Sequence, residues 1–133
     1  MSSLLLDTHA WVWWLTSPER LSRSQRAAIE RTQRRGRDPI RISIISCWEI
    51  ALLVERRRIR FTLPVEAWLE AATTVPGLEI VPLSLAIVLT ASRLSPLRDP
   101  ADMLIVASAH HHGARLVTSD AGIEQARLVP VVS

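Results

Sequence analysis

Ile40-Arg41-Ile42-Ser43-Ile44-Ile45-Ser46-Cys47-Trp48-Glu49-Ile50-Ala51-Leu52-Leu53-Val54 is the stretch whose reading decides the fold. The β-branched run from Ile40 to Ile45 predicts a buried strand, and the apolar segment from Ser46 to Arg57 predicts a helix directly after it. Both are too apolar to lie on a surface, so the chain passes from a covered strand into a covered helix. One acid, Glu49, stands in the expected first turn of that helix, among Trp48, Ile50, Ala51, Leu52 and Leu53. The apolar run from Ile42 to Val54 is broken by Ser43, Ser46 and Glu49 and is shorter than the roughly 18 residues of a membrane span.

The same alternation continues on either side. Upstream, Ser3 to Leu6 predicts a short buried strand ending at Asp7, with a helix from Ala10 to Leu15. Ser17-Pro18 breaks the pattern, and a more polar helix is expected from Leu21 to Arg35, closed by Gly36. Downstream, Pro64 is placed in the first turn of a helix reaching Thr74, and Pro76-Gly77 turns the chain into a strand from Glu79 to Leu83. Ser84 to Leu94 is expected to be helical. Asp99-Pro100 opens a helix to His112, Gly113 closes it, Arg115 to Thr118 forms a strand before Asp120, and Leu128 to Val132 forms the last one. Strands separated by helices predict a single three-layer α/β/α domain over residues 1–133, with a mostly parallel central sheet.

In such a sheet the strand C-termini and the helix N-termini share one edge. Asp7 and Asp120 follow strands at that edge, while Glu49 and Asp102 are expected in first helical turns there. Each acid has a simpler role open to it. Ser46 and Glu49 match a capping box, Asp99-Pro100-Ala101-Asp102 is a good helix start, Asp120 can cap a short helix reaching Gln125, and Asp7 can begin a turn. Capping leaves unexplained why Glu49 and Asp102 are embedded in such apolar helices. Four like charges gathered beside buried elements call for a divalent cation, and carboxylate oxygens suit Mg²⁺ or Mn²⁺.

Other chemistries are disfavoured by what the chain lacks. Four glycines, Gly36, Gly77, Gly113 and Gly122, supply neither a P-loop nor a dinucleotide fingerprint. No lysine is present, which removes a Schiff-base nucleophile and the lysine of phospho-accepting receivers. Ser119 lacks the glycines of a serine-hydrolase elbow, and Cys47 sits in an apolar context that suits the core. His110, His111 and His112 point about 100° apart on a helix and cannot converge on one zinc ion, so they read as cations near a helix C-terminus. A single cysteine allows no internal disulfide, no basic leader opens the chain, and a cytoplasmic setting is expected.

All sixteen basic residues are arginine, and the formal charge is +3. Planar guanidinium groups suit phosphate, which favours a nucleic-acid partner. Arg56-Arg57-Arg58 and Arg60 complement a helix C-terminus or form an RNA track, while Arg31, Arg34, Arg35 and Arg37 read as a solvated face. In the first helix Trp11, Trp14 and Leu15 share a stripe and Trp13 points away from it, which predicts a partly exposed apolar groove for a partner segment.

Leu4-Leu5-Leu6-Asp7-Thr8-His9, Ser43-Ile44-Ile45-Ser46-Cys47-Trp48-Glu49-Ile50, Arg98-Asp99-Pro100-Ala101-Asp102-Met103-Leu104-Ile105-Val106-Ala107 and Leu116-Val117-Thr118-Ser119-Asp120 occur in the order found in PIN domains. Across nearly its whole length the chain resembles the VapC-type toxins of type II toxin-antitoxin pairs. The resemblance implies a PIN-like fold in which Asp7, Glu49, Asp102 and Asp120 bind Mg²⁺ or Mn²⁺ and hydrolyse RNA with metal-activated water. It also implies support from Asp99, while Ser46 and Thr118 are expected as supporting residues, and His9, two residues after Asp7, is expected to line the crevice as a substrate contact or to serve a structural role. The implied partners are an RNA substrate, a VapB-like antitoxin covering the tryptophan groove, and a second copy of the toxin. Where the family commonly has Arg after the third acid, this chain has Met103. A silent PIN-like module for RNA or protein binding, or a phosphatase or nuclease acting on another phosphate ester, are the alternatives.

Overall fold

A computed structural model describes residues 3–94 and 97–133. Five strands, β1 (Leu4–Leu6), β2 (Ile40–Ser43), β3 (Leu78–Val81), β4 (Arg115–Val117) and β5 (Val131–Val132), form one sheet in the order β3-β2-β1-β4-β5. Every pairing in it is parallel. Among the described residues seven α-helices connect them: α1 (Thr8–Thr16), α2 (Arg23–Arg35), α3 (Ile44–Glu55), α4 (Val65–Thr73), α5 (Leu85–Ala91), α6 (Pro100–His111) and α7 (Ala121–Ala126).

Strand alternation builds the three layers. On β1, Leu4 and Leu6 face one way and join Ile40, Ile42, Val117 and Val132 under α1 to α4, through Trp11, Ile29, Ile50 and Ala72. Leu5 faces the other way and joins Leu116 and Val81 under α6 and α7, through Ile105, Val106, Ala109 and Ile123. Helix α5 packs on the outside of α6 through Ile87, Ala91 and Ala107. Each fully buried aliphatic side chain contributes about 1.5–3 kcal/mol of transfer free energy, so a strand only three residues long is held firmly by both faces. Among the described residues no helix is long and apolar enough to cross a membrane.

Several element boundaries differ from expectation, each for a local reason. The strand expected to reach Ile45 stops at Ser43, whose side chain accepts a hydrogen bond from the Ile45 backbone N–H at 3.2 Å and starts α3 at once. Such a cap contributes about 1 kcal/mol, more than the few tenths that β-branched Ile44 and Ile45 cost in a helix. Ser46 is therefore not a cap, and Glu49 lies in the second turn of α3 rather than the first. Pro64, with extended ψ of 149°, sits just before α4 instead of inside it. Strand β3 ends at Val81 because Pro82 has no N–H to extend the ladder, and Pro130 confines β5 to Val131 and Val132. Helix α5 ends at Ala91, short of Leu94. By contrast Ser22 and Gln25 form a full capping box, and Gly36 closes α2 with φ of 62°.

The sheet order places β1 between strands reached in opposite directions, so β1 and β4 flank the point where the winding reverses. Ligands of open parallel sheets bind outside the strand C-termini at such a point, because the diverging connections leave a crevice there.

Candidate active site: a carboxylate cleft at the strand switch point

The crevice is lined by Asp7, Thr8, His9, Trp13, Glu49, Asp99, Asp102, Ile105, Ser119 and Asp120. All four acids singled out from the sequence meet there, and Asp99 and His9 join them. Asp7 continues β1, its backbone N–H donating to Val117 O at 3.0 Å. Asp120 follows β4, Glu49 projects from α3, and Asp99 and Asp102 stand at the start of α6.

Three of these acids are also helix caps. Asp7 accepts from Ala10 N at 2.8 Å, Asp99 from Ala101 N at 2.9 Å, and Asp120 from Ile123 N at 3.0 Å. The two roles offered by the sequence are thus compatible, because a capping carboxylate retains free lone pairs.

Hydroxyl groups link the acids to one another. Thr118 donates to Asp7 Oδ2 at 2.5 Å and accepts from the Asp120 backbone N–H at 3.1 Å. Thr8 bonds both the Glu49 carboxylate and Ser46 Oγ, the latter at 2.9 Å. One hydroxyl carries one proton, so Thr8 gives its proton to the carboxylate and receives that of Ser46. Below this network lies Gln25, fully buried, whose side-chain amide donates to Thr118 O at 3.2 Å, Ser119 Oγ at 3.1 Å and Val132 O at 3.3 Å. Its Oε1 meanwhile accepts from Ser22 N at 3.0 Å, so one side chain completes a capping box and anchors the strand end that carries Asp120.

The electrostatics are those of crowded anions. Burial pushes the Asp7 carboxyl above its ordinary range against the opposing bonds from Thr118 and Ala10, and burial does the same to Glu49. Asp102 is raised to about 7, by burial first and then by Asp99, Asp120, Glu49 and Asp7. Arginine offers no relief, since the described residues contain one ion pair, between Arg41 and Glu79 on the sheet. No set of three or more His, Cys, Asp or Glu side chains among the described residues is closed to ion-ligating geometry. The donor chemistry nevertheless fits a hard divalent cation, as every acidic group is an oxygen donor. Mg²⁺ characteristically keeps several waters and takes only one or two direct carboxylates, which suits acids already held in hydrogen bonds.

Several other expectations change. Trp11 is completely buried and packs against Trp68 at a centroid distance of 5.9 Å, so it is a core residue and cannot contact a partner. Trp13 is half-buried on the cleft wall with the Arg20 guanidinium 4.7 Å from its ring centroid, and Trp14 is half-buried against the core. Of the three tryptophans, Trp13 alone lines the cleft. Among the described residues the exposed large apolar side chains are instead Ile44 and Trp48 on α3, Leu85, Val88 and Leu89 on α5, and Leu63. His111 and His112 occupy the far end of α6, about 17 Å from its start at a rise of 1.5 Å per residue, and contribute nothing to the cleft. Cys47 is half-buried, and burial raises its thiol pKa.

Sequence reading missed Thr8, Ser119 and Gln25. Thr8 adjoins Asp7 and offered a weak signal, whereas the reach of Gln25 to residues 93 to 107 positions away has none.

Comparison with known proteins agrees with this architecture. The PIN domain profile matches residues 4–128. Ribonuclease VapC22 of Mycobacterium tuberculosis is 41% identical over 121 residues, covering 90% of this chain and 88% of the relative. Among solved structures, VapBC2 from Rickettsia felis bound to a DNA fragment from its promoter superposes with a TM-score of 0.69 at 18% identity, covering 96% of each chain. DNA-bound VapBC from Salmonella typhimurium gives 0.70 at 15% identity, covering 98% of this chain and 97% of the other.

Proposed function

Since the chain belongs to the PIN-domain family, we propose that it is a metal-dependent endoribonuclease and the toxin of a VapBC-type toxin-antitoxin pair. The observation that carries this reading is the convergence of Asp7, Glu49, Asp99, Asp102 and Asp120 on one crevice with no pairing arginine among the described residues. The 41% identical ribonuclease supports RNA as the substrate class.

Asp7, Glu49, Asp102 and Asp120 are the residues that would hold Mg²⁺ or Mn²⁺. When bound, the ion offsets charge developing on the scissile phosphate and lowers the pKa of the attacking water. Thr118 fixes the orientation of Asp7, and Thr8, backed by Ser46, fixes that of Glu49. Asp99 caps α6 and adds to the negative field at Asp102. His9, exposed at the rim and lining the same crevice, would offer a ring N–H to the substrate. Met103 stands where the family commonly has Arg and packs from α6 into two apolar clusters, so no cation from that position offsets Asp102.

Association with a VapB-like antitoxin and with a second toxin copy belongs to the same proposal. Trp13, on the cleft wall, is the tryptophan an inhibitory antitoxin segment would meet.

The deciding experiment is cleavage of single-stranded RNA and DNA in Mg²⁺, Mn²⁺ or EDTA, with Asp7→Asn as control. RNA cleavage that needs either ion and falls by well over tenfold in Asp7→Asn is expected. Wild-type turnover by Asp7→Asn at saturating metal, or equal cleavage in EDTA, removes the reading. Metal-dependent cleavage confined to DNA moves the activity to another phosphodiester.

A further inference from the structure

Beside the carboxylate cleft lies a second concavity of opposite character. Its walls include Arg20, Arg58, Arg60 and Phe61, and it shares His9 and Trp13 with the cleft, so the two adjoin along α1. Its arginines arrive there by simple means. After α3 the chain turns through Arg57 in the left-handed region, with φ of 58°, while Arg58 N–H bonds back to Leu53 O at 2.8 Å. The next residues alternate. Ile59 and Phe61 pack inward, Phe61 stacked on Trp68 at 4.1 Å, and this leaves Arg58 and Arg60 exposed. Arg20 reaches the same place from the turn after α1 and lies over the Trp13 ring. None of the three pairs with an acid among the described residues, where the one ion pair is Arg41 with Glu79.

An anionic strand faces a physical problem at this site, because five carboxylates repel it. Phosphates flanking the scissile bond need cations outside the carboxylate ring but within reach of it. We propose that Arg20, Arg58 and Arg60 form a phosphate-binding shelf that holds the single-stranded RNA segment leaving the cleft past His9 and Trp13. The Trp13 face holds the Arg20 guanidinium in place, and guanidinium donors match phosphate oxygens. This inference rests on RNA being the substrate, yet its binding role needs no metal.

The test is binding of a labelled single-stranded RNA oligonucleotide to the full chain in EDTA across a salt series, alongside steady-state cleavage in Mg²⁺ or Mn²⁺. For Arg58→Gln/Arg60→Gln the slope of log Kobs against log salt should lose about 1.4 units, about 0.7 for each single-strand phosphate contact. KM should rise with kcat nearly unchanged. Arg31→Gln/Arg35→Gln, on α2, should keep the wild-type slope. An unchanged slope in the Arg58/Arg60 variant, an equal loss in the α2 control, or no RNA binding by the wild type in EDTA overturns the shelf. Loss of antitoxin affinity with an unchanged RNA slope assigns the shelf to a protein partner and likewise overturns it. Failure of the wild type to cleave RNA with metal strikes the ribonuclease reading instead. Arg20→Gln is the weaker probe, because it also removes the contact with Trp13.

Discussion

Thr118 donates its hydroxyl proton to Asp7 Oδ2 at 2.5 Å, across 111 positions of sequence, and this bond ties the end of β4 to the end of β1. Asp7 is the most buried acid of the cleft, so the donor that orients it also limits the cost of keeping it charged there. Thr118→Val retains the shape and removes the donor. Denaturant unfolding should show a loss of about 1–3 kcal/mol, and RNA cleavage should fall by about 10- to 100-fold. Full activity together with full stability would show that the bond positions nothing.

The crowded acids give a pH dependence in the metal-free protein. Asp102 titrates near 3.8 when unfolded and near 7 when folded, so between these values the native state holds the extra proton. Stability is therefore greatest at the acid end of that window and declines as pH rises through about 7. Asp7 and Glu49, also raised, act in the same direction. Thermal unfolding in EDTA should give a lower Tm at pH 8 than at pH 5.5. On the proposed metal binding, Mg²⁺ or Mn²⁺ would compete with the proton, so its stabilisation should grow over the same range and reach about 2.7 kcal/mol at a hundred times Kd. A metal-induced shift that is largest at pH 5.5 contradicts this arrangement.

Two tryptophans separate packing from association. Trp11→Ala opens a cavity beneath α1 and should cost about 3–5 kcal/mol. Trp48, 56% exposed, should tolerate Ala within about 0.5 kcal/mol. Equal losses in denaturant unfolding would refute the assignment of Trp11 to the core.

Gly122 lies against an acid of the cleft. A Cβ there would stand 3.1 Å from Asp120 Oδ1, close enough to push that carboxylate by a few tenths of an ångström. Because that same Oδ1 accepts from Ile123 N as the cap of α7, Gly122→Ala should weaken the cap, lowering stability by up to about 1 kcal/mol, and reduce cleavage. Unaltered cleavage and Tm in this variant would show that Asp120 accommodates the added methyl without losing its position.

Gln25 gives a test distant from the acids themselves. Gln25→Met preserves volume but leaves the Ser22 N–H and the Thr118 and Val132 carbonyls without this partner. A loss of about 1–3 kcal/mol is expected, with weaker metal stabilisation, both read from melting curves with and without Mg²⁺. If the variant melts as the wild type does, the amide anchors nothing.

The sequence by itself determined the alternation of covered strands and helices, and through it the edge where Asp7, Glu49, Asp102 and Asp120 gather. Those features rest on periodicity and on caps such as Ser22 and Asp99, which act within a few residues and so are written locally. Boundaries such as Ser43 depended on a contest between β-branched propensity and one side-chain cap, close enough in energy that only the folded neighbours decided it. The placement of the tryptophans was beyond local reading, because which face of α1 is covered depends on Trp68 and on Arg20, brought there by the tertiary structure. The same is true of the threonine bridges, of Gln25, and of the arginines beside the cleft. Each of these depends on distances between residues far apart in the chain, and such distances exist only once the sheet has closed.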